Sequence, residues 1–185
     1  SRGVTQSDVE GLKWIRNAVD AGSETAMHNL GVMYQNGRGV TRNDVEAVMW
    51  YRKAAEAGDD NAMTNLGAMY ANGHGVTQND VEAVKWYRKA ADARNATAMT
   101  NLALKYEKGQ GVAQDDAEAV KWYRKAAAEG DGRAMAYLGK KYEQGQGGMT
   151  KDEGEAVKWY RKGADAGNAT AMTNLALRYE NGQGV

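Results

Sequence analysis

The stretch NDVEAVMWYRKAAEAGDDNAMTNLGAMYANGHGV, residues 43–76, decides the fold because close copies of it recur along the whole 185-residue chain. Three columns of residues keep a spacing of 36 residues, with one extra residue before the last member: Trp14, Trp50, Trp86, Trp122 and Trp159; Leu30, Leu66, Leu102, Leu138 and Leu175; and Tyr34, Tyr70, Tyr106, Tyr142 and Tyr179. Self-similarity at a period of about 20–50 residues is typical of repeat proteins. We therefore predict five repeats in a single domain of residues 1–185, at about 5–40, 41–76, 77–112, 113–149 and 150–185.

Each repeat carries two helical patterns. Its first half places apolar or small side chains at the spacing of one buried helical face, as in Ala47, Trp50, Tyr51, Ala54 and Ala55. Its second half does the same with Met63, Leu66, Gly67 and Tyr70. A lone helix cannot bury such a face, so neighbouring helices must stack. The pattern predicts an all-α fold, an α/α superhelical solenoid of ten antiparallel helices, with the Trp and Tyr columns in its core.

Helix boundaries are marked in each repeat. Capping residues three positions before a Glu predict the start of each first helix: Ser7, Asn43, Asn79, Asp115 and Asp152. Ser23, Asp59, Asn95, Asp131 and Asn168 predict the start of each second helix. Glycine ends the first helix in four repeats, whereas Arg94 occupies that place in the third and implies mild backbone strain. A small residue within each second helix, such as Gly67, predicts close approach of a neighbouring helix.

The composition excludes several functional classes. Basic and acidic residues are balanced at 24 each, which removes a general electrostatic attraction to nucleic acid, and no apolar run is long enough to span a membrane. There is no Cys, and the two His residues, His28 and His74, lie in different repeats. Because no catalytic or nucleotide-binding motif accompanies them, we predict a protein that is not an enzyme and that uses no metal or cofactor.

The strings A-E-A-V-K-W-Y-R-K-A-A-x-x-G and A-M-x-N-L-[GA]-x-x-Y-x-x-G-x-G-V resemble the Sel1-like repeat, a relative of the tetratricopeptide repeat. The resemblance covers essentially the whole chain. It implies a right-handed superhelix that acts as an adaptor or scaffold for a protein or peptide partner. The distribution of the family also favours a bacterial protein of the periplasm or the secreted fraction.

The resemblance implies that the second helices line the inner, concave face, where a peptide would bind. An Asn column precedes the Leu of these helices at Asn29, Asn65, Asn101 and Asn174, and Tyr137 replaces it in the fourth repeat. An Asn amide can pair with the backbone of an extended peptide. A neighbouring column turns basic toward the C-terminal half at Lys105, Lys141 and Arg178. These eight residues form the predicted binding site. Alternatively, each Asn bonds the adjacent repeat and fixes its stacking.

Two other functions remain open. The array begins with a first helix and ends with a second helix, so uncapped terminal faces would allow end-to-end self-assembly through open contacts. A glycan or small-molecule module is the weaker alternative, because it needs a deep pocket that the pattern does not predict.

Overall fold

The computed structural model describes residues 6–184, without the side chain of Gln6; the predicted repeat ends at Thr5 and Val185 lie outside this range. The described residues form ten α-helices and no strand, which confirms the all-α class. The helices are α1 (Gln6–Asp20), α2 (Glu24–Asn36), α3 (Asp44–Glu56), α4 (Asp60–Asn72), α5 (Asp80–Asp92), α6 (Ala96–Lys108), α7 (Asp116–Ala128), α8 (Gly132–Gln144), α9 (Glu153–Asp165) and α10 (Ala169–Glu180). Odd-numbered helices are the predicted first helices, and even-numbered helices are the second helices.

The chain packs as two compact units, residues 1–90 and 91–185, with the division falling inside α5. In the first unit, α2 packs extensively on α3, and α3 on α4. In the second unit, α6 packs on α7, α7 on α8, α8 on α9 and α9 on α10. The contacts of a second helix with the following first helix are the more extensive ones, so each repeat is stabilised mainly through its neighbour.

The predicted caps are confirmed with one exception. Asn43, Asn79, Asp115 and Asp152 each accept a backbone N–H from the first turn of the following helix. Equivalent bonds cap all five second helices. Ser7 is the exception, because α1 already begins at Gln6 and Ser7 lies inside its first turn. The sequence therefore places nearly every helix start through side-chain oxygens that satisfy otherwise unpaired N–H groups.

The glycines within the second helices pack against a tyrosine side chain of the next first helix. A Cβ atom added at Gly31 would lie 2.7 Å from the ring of Tyr51, and one at Gly67 would lie 2.7 Å from the ring of Tyr87. Gly139 makes the same close approach to Tyr160. The predicted helix contact is thus confirmed, and it explains why glycine is kept at a helical position where it costs about 1 kcal/mol against alanine.

The tyrosine side chains of the first helices are buried more completely than those of the other aromatic columns. Tyr51, Tyr123 and Tyr160 are fully buried. Tyr70, which the pattern places in the core, is only half-buried. Trp14 is 67% exposed, so its predicted core position is wrong, whereas the Trp residues of the third and fourth repeats are buried. Burial of a Trp in this column requires a preceding repeat to pack over it, and none precedes Trp14 among the described residues.

Arg94 has a positive φ of 67°, as the place of a helix-ending glycine predicts, and its guanidinium pairs with Glu129 at 2.7 Å. We expect Arg94→Gly to raise the free energy of unfolding by about 0.5–1 kcal/mol, measured by urea denaturation. The left-handed conformation costs an L-residue roughly 1–2 kcal/mol, and the exposed ion pair offsets about 1 kcal/mol at most. Glu129→Gln is the control, since it removes the ion pair and keeps the strain. A loss of stability in Arg94→Gly would show that the ion pair outweighs the strain.

Candidate functional site

The predicted Asn column is divided between two kinds of environment. The side-chain nitrogen of Asn65, on α4, lies 2.9 Å from Nε2 of His28 on α2, so this Asn joins two second helices. It also adjoins Tyr51, whose pKa is raised to about 12 by burial, against a smaller opposing effect of the Asn65 hydrogen bond. At this position the structure favours the stacking interpretation of the column.

The other members of the column are more open. Asn29 is exposed and lines a cavity of about 350 Å³ between α1 and α2, beside Ile15 and Val32. Asn101 and Asn174 are half-buried, and neither side chain makes a hydrogen bond within residues 6–184. An amide without an internal partner is available to an external one.

The second unit contains a larger cavity of about 530 Å³ between α8 and α10. Three of the predicted site residues line it: Tyr137, Asn174 and Arg178. Its volume lies within the range of about 300–1,000 Å³ that is usual for small-ligand pockets. The structure therefore brings three predicted residues from two second helices to one concave site.

The Asn column changes residue between the two repeats that line this cavity. In the fourth repeat, Tyr137 stacks on the buried Tyr123 at a centroid distance of 4.9 Å. In the fifth repeat, the equivalent place next to Tyr160 belongs to Asn174, and both residues line the cavity. An amide is much smaller than a phenol ring, so the space that an aromatic ring fills in one repeat stays open in the next.

The charged groups around this cavity are unequally paired. Glu143 accepts a hydrogen bond of 2.6 Å from the hydroxyl of Tyr160 and pairs with Arg178 at 3.3 Å. Burial, reinforced by Glu143, raises the pKa of Tyr160, so its hydroxyl stays protonated and continues to donate. Lys140 is exposed, lines the cavity and makes no hydrogen bond or ion pair in the described part of the chain, while its charge also helps to lower the pKa of Glu107.

Arg178 is not fully satisfied by Glu143. Its side chain is only 16% exposed, and its Nε atom is buried without a hydrogen-bond partner among residues 6–184. A buried donor without a partner costs about 1–3 kcal/mol, and Arg178 shares this feature with the indole nitrogens of Trp50, Trp86 and Trp122.

Lys141 occupies the same column as Arg178 but has a different environment. Its side chain is 4% exposed, and its ammonium lies 2.7 Å from Glu107 and 3.6 Å from Asp116. Although burial alone would raise the pKa of Glu107, hydrogen bonds from Lys141 and Tyr123 hold that pKa below its usual value. Lys141 therefore joins α8 to the preceding repeat and is enclosed by protein.

Lys105 is half-buried, and its ammonium donates to Gln110 at 3.3 Å in the turn that follows α6. The predicted basic stripe thus separates into three environments, since Lys141 and Arg178 pair with acidic residues some 35 positions away whereas Lys105 donates to the nearby turn. Arg133 also lines the cavity, although it was not among the predicted site residues. The available signal was its position two residues after the cap Asp131, with which it pairs at 2.9 Å.

A membrane-spanning helix and a metal-binding cluster are both absent from residues 6–184. None of the described helices is long and apolar enough to cross a membrane. Residues 6–184 also contain no cluster of three or more acidic or His side chains that would hold a metal ion.

The Sel1 repeat family model matches residues 1–23, 25–59, 60–95, 96–131, 132–168 and 169–185. Each of the four central segments begins with a second helix and ends after the next first helix, which is one helix out of phase with the five predicted repeats. This phase groups the helices that pack most extensively, such as α2 with α3 and α8 with α9. No curated protein sequence matches the chain significantly.

Solved structures of bacterial proteins share the fold. One is c5321, a protective antigen present in uropathogenic Escherichia coli strains and displaying an SLR fold; it is 37% identical, with a TM-score of 0.87 over 96% of this chain. A Sel1 repeat protein from Oxalobacter formigenes is 42% identical, with a TM-score of 0.81 over 88% of this chain. An immunity protein from Pseudomonas aeruginosa, at 24% identity, 86% coverage and a TM-score of 0.62, supports the fold alone. The chain spans 38%, 64% and 59% of the lengths of these three proteins.

Proposed function

Because the chain belongs to the Sel1 repeat family, whose members generally mediate protein–protein interactions, we propose that it is an interaction scaffold holding a peptide or protein segment against its second helices. The observation that carries the proposal is the 530 Å³ cavity between α8 and α10. It combines an aromatic face from Tyr137, an unpaired amide from Asn174 and the partly satisfied guanidinium of Arg178.

These groups suit a polypeptide ligand. Binding energy in protein interfaces concentrates in Tyr and Arg side chains that lie in partly enclosed pockets, and an Asn amide can donate to and accept from a peptide backbone. The same groups offer no nucleophile–base pair, so the proposed role is binding without catalysis.

The proposal is tested by selecting displayed random peptides on the immobilised chain and measuring the affinity of the enriched peptides by fluorescence anisotropy. We expect Tyr137→Ala with Asn174→Ala to weaken binding by about tenfold, since each truncation removes one contact of the pocket. Asn17→Ala, an exposed change on α1, is the matched control and should leave affinity unchanged.

Helicity of each variant is measured by circular dichroism, so that loss of fold is separated from loss of contact. Absence of any enriched peptide, or equal affinity for a folded double variant, would contradict binding at this face. Light scattering of the same samples addresses end-to-end self-association. That alternative is supported by the exposed apolar residues Met172, Leu177 and Tyr179 on α10, and it predicts a mass that grows with concentration.

A further inference from the structure

We propose that the α8–α10 cavity is a carboxylate-binding pocket, which takes an Asp or Glu side chain of the bound segment between Arg178, Asn174 and Lys140. This inference rests on the proposed function and names the chemical class that the site selects. The first argument is charge: Arg133, Lys140 and Arg178 line the cavity against one acidic residue, Glu143.

Glu143 does not cancel this excess. One of its oxygens accepts from the Tyr160 hydroxyl at 2.6 Å, and the other pairs with Arg178 at 3.3 Å. Both oxygens are therefore occupied by donors from the protein. Arg133 is likewise paired with Asp131, which leaves Lys140 and the remaining donors of Arg178 to act on a ligand.

The second argument is the set of donors without an internal partner. The Asn174 amide and the Lys140 ammonium make no hydrogen bond or ion pair within residues 6–184, and the Arg178 guanidinium, which also lines the cavity, pairs with Glu143 through Nη2. A carboxylate is the group that accepts from several such donors at once, and bonds between ionised partners are roughly twice as strong as neutral ones. A neutral amide ligand would satisfy fewer donors and gain no ionic attraction.

The third argument is a comparison inside the chain. The residue equivalent to Arg178 in the previous repeat is Lys141. Lys141 has two carboxylate partners, both from the protein itself: Glu107 at 2.7 Å and Asp116 at 3.6 Å. Arg178 pairs only with Glu143 among the described residues. A ligand carboxylate would give Arg178 the second anionic partner that Lys141 already has.

The test uses the ¹⁵N-labelled chain and three defined probes: the pentapeptide acetyl-Ala-Ala-Glu-Ala-Ala-amide, its Gln counterpart, and the free dicarboxylate glutarate. We expect the Glu peptide to shift the Arg178 Nε–H and Asn174 side-chain resonances, and the Gln peptide to bind at least tenfold more weakly. Binding of glutarate as tightly as the Glu peptide would support the carboxylate pocket and assign it to a free small acid.

Matched variants separate the pocket from general electrostatics. We expect Asn174→Tyr to abolish binding, because a Tyr at this position fills the same space over Tyr123 in the fourth repeat and is therefore compatible with the fold. Lys140→Gln should weaken binding threefold to tenfold, whereas Lys108→Gln, an exposed charge at the end of α6, should not. Arg178→Lys keeps the charge, removes the planar guanidinium that can bind a carboxylate through two N–H groups, and should weaken binding about tenfold.

The failure of this inference is distinct from that of the proposed function. Equal binding of the Glu and Gln peptides, or unchanged affinity in both Lys140→Gln and Arg178→Lys, would overturn the carboxylate pocket and leave peptide binding in place. If neither the Glu peptide nor glutarate moves the Arg178 resonance, the pocket is overturned as well. The scaffold function itself is contradicted by separate results: absence of enriched peptides in the display selection, or equal affinity of the folded Tyr137→Ala/Asn174→Ala variant for an enriched peptide.

Discussion

Replacing Tyr123 with alanine is expected to lower the free energy of unfolding by about 3–5 kcal/mol, the cost of truncating a fully buried aromatic side chain. The ring is enclosed on every side and stacks on Tyr137. Its hydroxyl also donates to Glu107 at 2.7 Å, so truncation removes a partner from a carboxylate that is itself largely enclosed. Urea denaturation followed by far-ultraviolet circular dichroism measures the loss, with the slope of the transition checked for a change in cooperativity.

Two controls divide this loss into its parts. Tyr123→Phe keeps the ring and removes the hydrogen bond to a charged acceptor, for an expected cost of about 1.5–3 kcal/mol. Tyr106→Ala changes a tyrosine that is only half-buried on α6 and should cost clearly less than Tyr123→Ala. If Tyr123→Ala cost less than about 1 kcal/mol, or less than Tyr106→Ala, the tyrosines of the first helices would not form the core of the repeats.

Lys141→Ala is expected to destabilise the chain by about 3 kcal/mol, because it leaves Glu107 without the cation that compensates its burial. Removing one partner of a fully buried ion pair costs about 3–5 kcal/mol, and the lower end applies here since Glu107 retains 28% of its side-chain exposure. The lysine stem is also lost from the interior, where the residue is 3% exposed.

The chain supplies its own control for this prediction. In the first unit, the positions equivalent to Glu107 and Lys141 are held by Gln35 and Met69, which lie 3.6 Å apart between the Gln35 amide nitrogen and the Met69 sulfur. The double variant Glu107→Gln/Lys141→Met installs this neutral pair in the second unit.

We expect the double variant to lie within about 1 kcal/mol of the parent chain, since a buried ion pair replaced as a whole is often neutral or stabilising. The amide oxygen introduced by Glu107→Gln would still accept from the Tyr123 hydroxyl, as Gln35 accepts from Tyr51 at 2.6 Å. A double variant as unstable as Lys141→Ala would show that the ion pair itself, beyond compensation of a buried charge, stabilises this contact between repeats.

Much of the fold follows from local sequence. Asn43 and Asp59 bring their own cap acceptors, and the helix ends coincide with residues in left-handed conformations, including the non-glycine Arg94. The glycine within three of the second helices, Gly31, Gly67 and Gly139, also predicted a close neighbour, because a helical glycine without such a contact is unfavourable. These features depend on residues a few positions apart, so the sequence alone determines them.

Only the tertiary structure determined the burial and pairing of side chains that occupy equivalent positions in the repeats. Lys141 and Arg178 share a column, yet the first is sealed between two acidic residues and the second borders an open cavity. Asn65 bonds His28, whereas Asn174 keeps its amide free within the described residues. The physical reason is that burial and charge pairing are set by residues about 35 positions away on the neighbouring helix, and a periodic pattern does not encode which of these neighbours fills the space beside each one.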